Sequence, residues 1–346
     1  MKLSNQARRN TQPGRSPHSR LLPLLGILAL GAVFPVVAAR GQGLAARLNI
    51  PSKSVAEPPQ QPLFPPELTH WVPAAQNPVF TGAGGEDAWD QKIRERGWIA
   101  VENGTWHLWY TGYNPSKSPD KFLGHATSPD GLTWTRDPAN PVLKTSFVED
   151  MCIVHQGSEY SMFAEGKNDV AHMLTSTDGR TWEERGPLDV RLKNGTPIPP
   201  GPYGTPAVWF EAGTWYLFYE RADQGVWLAT SPDRKVWTNI QDEPVLAMTP
   251  GTYDQTAVAM NQVVKRNGWY YAFYHANREK PWKNWTTCLA RSQDLIHWEK
   301  FAGNPLVQNN QSSGILVDPD GDGPIPPRLY TMHPEVRVLM PATTQP

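Results

Sequence analysis

Two cysteines in 346 residues are too few for a fold held together by disulfides. Cys152 and Cys288 fall in different copies of an internal repeat, on an inner and an outer strand, so each is expected as a buried free thiol. Charge is also sparse: 19% of residues are Asp, Glu, Lys or Arg, and the net charge is −1. Lys2, Arg8, Arg9, Arg15 and Arg20 stand in the first 39 residues with no acid among them, which leaves the rest of the chain acidic. Such a body lacks the basic face that phosphate backbones need, and this excludes nucleic acid as a partner. No GxGxxG or Walker pattern offers a nucleotide site. No two histidines stand at an H-x-x-x-H spacing, so no metal site is expected.

Long apolar runs are lacking too, with one exception. Residues 21–39, LLPLLGILALGAVFPVVAA, follow a basic segment and end in small residues. This reads as a secretory signal, with Arg8-Arg9 hinting at a twin-arginine type. The run is long enough to span a bilayer, but Pro23, Pro35 and the Val37-Ala38-Ala39 end favour cleavage over a retained anchor. The expectation is a secreted or periplasmic protein with no membrane contact after cleavage. Residues 40–66 are Pro-rich and without periodicity, hence a tether. The folded domain is then expected over residues 67–341.

What the chain does have is tryptophan, proline and a repeat. Fifteen Trp and 35 Pro suit turn-rich β structure better than helices. In residues 213–237, Trp215, Leu217 and Tyr219 alternate with Tyr216, Phe218 and Glu220, the period of a strand. Apolar residues occupy both sets, so the strand should be covered on both faces, and it should end at Glu220-Arg221. The pattern recurs in residues 104–134, 157–182 and 268–298, each time closing on a Ser-x-Asp turn and a Trp. Trp134, Trp182, Trp237 and Trp298 are 48, 55 and 61 residues apart. Repeats of that length built from short aromatic strands predict an all-β fold, a β-propeller. The turn aspartates are read as structural, bonding the backbone of a tight turn. The tail supplies strand-like runs near residues 314–317, 328–332 and 336–340 without that turn. It predicts a fifth blade, closed by a strand from residues 71–80 that removes the sheet edges.

In such a ring two places per repeat should line one axial pocket. Before the inner strands stand Trp89-Asp90 with Glu95-Arg96, then Glu149-Asp150, Gly204-Thr205, Asp254-Gln255 and Ser312-Ser313. After the second strands stand Thr111, Glu165, Glu220 and His275, and in the fifth unit His333, Glu335 and Arg337. Clustered carboxylates repel and must be desolvated or shared, so folding alone does not explain them.

With its G-x-W/Y-Y-x-F-Y strands, S-x-D-G-x-x-W turn at Ser128 to Trp134 and acids at blade starts, the chain resembles the five-bladed β-propeller glycoside hydrolases of families 32, 43, 68, 117 and 130. The resemblance covers residues 87–340. The stretches WD-x-x-x-R-E-R-G, ED-M, FAEG-x-N-D, PGPYGTP, YD-x-x-A-V-A and YTMHPEVRV further resemble a bacterial glycosidase-like family and imply no particular substrate. In families 43 and 32 aspartates open the first two blades and a glutamate the third. Asp90 and Asp150 suit the first two roles, whereas blade three opens at residues 201–206 without an acid.

Glycoside chemistry needs two carboxyls flanking the bond. The assignment that follows gives Asp90 the role of base or nucleophile and Glu220 that of general acid, with Asp150 orienting the sugar and raising the acid's pKa. Glu165 is the rival acid, and His275 or His333 a third option. Glu95, Asp254 and Glu335 are expected to pair with Arg94, Arg96 and Arg337 or to hold sugar hydroxyls, and Arg221 to pair with Glu220 or bind substrate. Trp89, Trp98 and Tyr203 are candidates for stacking on sugar faces. Asp318, Asp320 and Asp322 meet the first half of a calcium loop, but Leu329 replaces the bidentate Glu, so a hairpin turn is the better reading. The leading function is a secreted, exo-acting glycosidase on plant or algal polysaccharide fragments. One alternative is a phosphorylase, with Arg94, Arg96, Arg337 and Lys167 as phosphate ligands. The other is a carbohydrate-binding propeller without catalysis.

Overall fold

The computed structural model describes residues 64–281, 283–319 and 325–342. The signal segment, Asp320, Asp322 and all of the tether except its last three residues lie outside them. The described residues form a five-bladed β-propeller in which each blade has four strands running antiparallel from the axis outward. The inner strands are Lys92–Glu102, Glu149–Gln156, Gly204–Glu211, Ala257–Arg266 and Ile315–Val317. The second strands are Thr105–Tyr113, Glu159–Glu165, Thr214–Glu220, Trp269–Asn277 and Arg328–Thr331. Blade three carries two extra short strands, Asp189–Arg191 and Leu246–Ala247.

The two-faced strand of the repeat behaves as its pattern requires. On Thr214–Glu220 the odd-numbered Trp215, Leu217 and Tyr219 enter the core between blades two and three. The even-numbered Phe218 enters the next core, with Tyr216 packed against it. Every blade interface has its own cluster of this kind, so the ring is five separate cores sharing five sheets. Burying aromatic area on both faces of one strand is what makes a narrow blade stable.

The Ser-x-Asp turns are structural, and in three of the four blades the aspartate accepts two turn amides, whereas Asp233 in blade three accepts that of Lys235. In the first, Ser128 Oγ accepts the Gly131 amide at 2.8 Å, and Asp130 Oδ1 accepts those of Leu132 and Thr133 at 2.8 Å. Asp178 does the same for Arg180 and Thr181, and those amides, led by Thr181, hold its carboxyl well below the usual range. Trp237 is fully buried at the blade three boundary.

The ring closes through the N-terminal strand. Trp71–Pro73 pairs antiparallel with Arg337–Pro341, Trp71 opposite Pro341. Asn77 extends the pairing with its side chain: Nδ2 donates to Val338 O and Oδ1 accepts from Val338 N, both at 2.7 Å. Phe80 bridges Val336. Ahead of the closing strand, Phe64 packs on Tyr271 and Phe301, and Leu68, on a short helix Pro66–Thr69, is fully buried. Cys152 and Cys288 are free and buried. No helix among the described residues is long and apolar enough to cross a membrane.

Candidate functional site

The geometry of the site begins with a defect repeated around the axis. In blades one, two and three the pairing of inner and second strands slips between Arg94 and Trp98, Glu149 and Cys152, and Gly204 and Ala207. At each slip one residue turns left-handed: Glu95 at φ 57°, Asp150 at 44° and Thr205 at 44°, with Ser313 at 56° ahead of the blade-five inner strand. None is glycine, and for a β-branched threonine this region is an outlier. A bulge re-aims side chains. All four of these residues line one cavity of about 990 Å³. Strain of this sort persists only where surrounding structure enforces it.

Arg96 braces the bulges of the first three blades, following Glu95 and bonding Asp150 O, Met151 O and Pro206 O. This arginine is fully buried, and its guanidinium donates to carbonyls of three other blades. It reaches Met151 O at 3.0 Å, Pro206 O at 2.6 Å, Met260 O at 2.8 Å and Asn261 O at 3.1 Å, as well as Asp150 O. The fork geometry of a guanidinium suits a convergence of carbonyls as no other side chain does. Arg96 therefore ties the inner strands together beneath the cavity. It is not a substrate or phosphate ligand, because its donors are spent.

Above it stands a group of carboxyls. Glu165 and Glu220 end the second strands of blades two and three, and both lie against Gly204. A Cβ at Gly204 would sit 2.1 Å from Glu165 Oε2 and 3.1 Å from Glu220 Oε1. The missing acid of blade three is thus the space into which two neighbouring acids lean. Glu165 Oε2 accepts the Thr205 amide at 2.9 Å and its hydroxyl at 3.2 Å, and Oε1 has no hydrogen bond among the described residues. Burial, reinforced by Asp150 and Glu220, pushes the Glu165 carboxyl well above its ordinary range. Glu220 has an amide on each oxygen, from Gly204 at 3.1 Å and Asp223 at 2.6 Å. Burial outweighs both and raises it to about 7. Asp150 accepts the Arg96 amide at 3.2 Å, and burial together with Glu95 raises it to about 6. Glu149 is raised to about 7 by burial despite Arg94 and Lys121 beside it.

Across the cavity the pairing runs the other way. Burial would raise Glu95 as well, but His333 at 3.2 Å and Arg94 hold it down at about 2. His275 is pushed down to about 3 by burial and by Arg96. Its Nδ1 lies 2.8 Å from Asn261 Oδ1, so Nδ1 carries the proton and Nε2 is left as an acceptor. Trp285 meets this ring edge-on at 5.0 Å, and Trp285, Lys280, Lys283 and Asn284 form the wall on that side.

Several sequence expectations need correction. Asp90 does not face the cavity. It is buried against Arg136 Nε at 2.8 Å and the Tyr110 hydroxyl at 3.0 Å, which leaves it no access to a substrate. Asp254 is fully buried and bonded to Lys300 and Thr252. Trp89 stacks on Tyr110, and Trp98 packs among three of the cores. The Tyr203 hydroxyl donates to Leu188 O at 2.9 Å, and Arg221 donates to Pro199 O at 3.0 Å. Lys167 pairs with Asp120 at 2.7 Å, whereas Glu335 and Arg337 pair at 2.7 Å as expected. Thr111 donates to Val148 O at 3.0 Å and is not on the wall. Asp318 is engaged by Arg266 through Oδ2. Among the described residues no three His, Cys, Asp or Glu side chains could hold a metal ion. Of the expected site residues the structure brings Glu95, Asp150, Glu165, Glu220, His275 and His333 together. Glu149 and Arg94, which the sequence also placed there, line the cavity too, and the structure adds Asp169. It also adds Asp223, Lys280, Lys283 and Trp285, from loops that carry no periodic signal.

No protein-family profile matches the chain. A curated 1,2-beta-oligomannan phosphorylase from Thermoanaerobacter sp. (strain X514) is 26% identical over 211 residues, 55% of this chain and 67% of that protein. A glycosyl hydrolase structure from Bacteroides ovatus superposes with a TM-score of 0.64 at 16% identity, covering 80% of this chain and 94% of that one. A structure from work on the GH130 family of mannoside phosphorylases, in which some members are glycoside hydrolases that target beta-1,2 mannosidic linkages in Candida mannan, gives 0.62 at 14% identity, covering 83% and 98%. The chain therefore shares, at low identity, the five-bladed fold of several bacterial glycoside-hydrolase-like propellers.

Proposed function

We propose that this chain is a carbohydrate-active enzyme that cleaves a terminal mannosidic bond, with phosphate as the acceptor of the released sugar. The observation that carries the reading is the pair of buried carboxyls, Glu165 and Glu220, leaning on Gly204 in a 990 Å³ cavity. Its direction toward mannosides and phosphate is supported by the similarity to the oligomannan phosphorylase. Glu165 is the general acid. Burial shifts its carboxyl toward the protonated form, and Oε1 has no competing bond. As the anomeric carbon–oxygen bond breaks, that proton goes to the departing sugar oxygen. A phosphate oxygen bonds to the anomeric carbon and gives a sugar 1-phosphate. Arg94, Lys280 and Lys283 are the cations on the wall that would hold the phosphate. Burial, then Asp150 and Glu220 by like-charge repulsion, raise Glu165, and Asp150 and the Glu95–His333 pair hold sugar hydroxyls.

Hydrolysis is the second reading, and the charge on the wall favours it: seven carboxyl side chains line the cavity against three Lys and Arg. A phosphate dianion is poorly placed among them unless several stay protonated, whereas a water is not. Incubation with β-1,2-linked mannan oligosaccharides, with and without phosphate, separates the two. Mannose 1-phosphate formed only when phosphate is present supports phosphorolysis. Free mannose at the same rate in both supports hydrolysis. No product from any β-mannoside contradicts both.

A further inference from the structure

A second hollow, of about 420 Å³, lies beside the main cavity at the boundary of blades one and two. Consecutive residues link them: Glu165 lines the first, and Gly166 lines the second. Glu149, in the main cavity, holds Lys121 at 3.3 Å, and Lys121 rests 4.4 Å above the ring of Phe147, which lines the second hollow.

The floor is fixed. His172 Nδ1 lies 2.8 Å from Glu184 Oε1, which locks the ring, and its Nε2 is sealed from solvent. A Cβ on Gly166 would sit 3.1 Å from Val170 O and touch that ring at 3.4 Å, so the backbone here lies close to the floor. Asp120 pairs with Lys167 at 2.7 Å, and the remaining carboxylate, Glu184, is matched in number by Lys144. Lys144, exposed on the rim, has no partner among the described residues. Phe122 and Phe147 supply half-buried aromatic faces.

A locally neutral hollow with two aromatic faces and one ammonium donor is a poor anion site. It suits a ring with an apolar C–H face and hydroxyls at its edge. We propose that it is a subsite for the distal sugars of an oligosaccharide whose end occupies the main cavity. The proposal rests on the carbohydrate reading above and adds where the rest of the chain lies. It predicts that binding tightens with chain length and that the gain is made at this hollow.

The test is calorimetric titration with β-1,2-linked mannan oligosaccharides of increasing length, on wild type, Lys144→Ala and Thr145→Trp. Thr145 is an exposed lining residue, so the indole fills the hollow from outside without disturbing the core. Wild type is expected to bind a tetrasaccharide more tightly than a disaccharide. Each variant is expected to lose about fivefold or more on the tetrasaccharide, the scale of one lost hydrogen bond, and to bind the disaccharide as wild type does. No length dependence in wild type, or equal losses on both lengths, overturns the subsite. Binding needs no turnover. A protein that shows the length-dependent pattern but cleaves nothing therefore refutes the cleavage reading and keeps the subsite.

Discussion

At the scale of single residues, the site is a set of carboxyls whose burial makes charge expensive, and that cost should be measurable. Glu149 and Glu220 sit at about 7 against an ordinary 4.5, and Asp150 at about 6 against 3.8. Between the ordinary and the raised values the folded state binds more protons than the unfolded chain. Their contribution is therefore favourable below the ordinary pKa and is lost as pH rises through 6 to 7. Glu165 is raised in the same direction. Glu165→Gln removes one such charge while Thr205 can still donate to the amide oxygen. It should melt higher than wild type at pH 8, by roughly 2–4 °C per kcal/mol, and the difference should vanish near pH 4.5. The same variant should lose about 10²- to 10⁴-fold in turnover of a substrate with a poor leaving group, and far less with an activated aryl glycoside. A variant that melts like wild type at every pH would show that Glu165 is not the desolvated group described. Arg96 is the other decisive residue. Arg96→Met strands five carbonyl contacts, and breaking buried polar networks of this kind costs roughly 3–5 kcal/mol, to be read from denaturant midpoints.

At the scale of elements, function lies in the bulge and not in the strand. Strands and Ser-x-Asp turns were legible because their patterns are periodic and local: Trp215, Leu217 and Tyr219 announce a strand without reference to anything distant. The placement of Glu165, Glu220 and His275 on one wall followed from aligning those strands. Asp90 was misread because, like Asp150, it stands ahead of an inner strand, although several residues further upstream. What separates them is Arg136 and Tyr110, 46 and 20 residues away, which claim Asp90 first. Arg96 was misread for the same reason, since its carbonyl partners in blades three and four lie 110 to 165 residues off. The absent acid of blade three was legible as an absence, but its meaning, room for two carboxyls, was not. Gly204→Ala tests that meaning. The added methyl would have to displace the oxygen 2.1 Å away and crowd the one at 3.1 Å. Turnover should fall by about 10² or more from misplacement alone, with circular dichroism unchanged. Retained activity would mean that the spacing of the two carboxyls does not matter.

At the scale of the whole molecule, five separate cores depend on one closing strand. Asn77 mimics a strand residue by pairing its amide with both backbone groups of Val338. Asn77→Ala leaves the Val338 amide without its partner, while Val338 O keeps the Ala74 amide at 3.0 Å, and should cost roughly 1–3 kcal/mol, seen as a lower melting temperature with activity per folded molecule intact. Closure and catalysis are thereby separable, and so are the two aspartates that sequence places alike. The most direct measurement is therefore a single assay of β-1,2-mannan oligosaccharide cleavage in phosphate, run in parallel on wild type, Glu165→Gln and Asp90→Asn, with activity normalised to folded protein. Wild type and Asp90→Asn should release mannose 1-phosphate at similar rates, and Glu165→Gln should be nearly silent. An inactive Asp90→Asn beside an active Glu165→Gln would contradict the account, because it would move the chemistry from the axial carboxyl pair to a residue buried against Arg136.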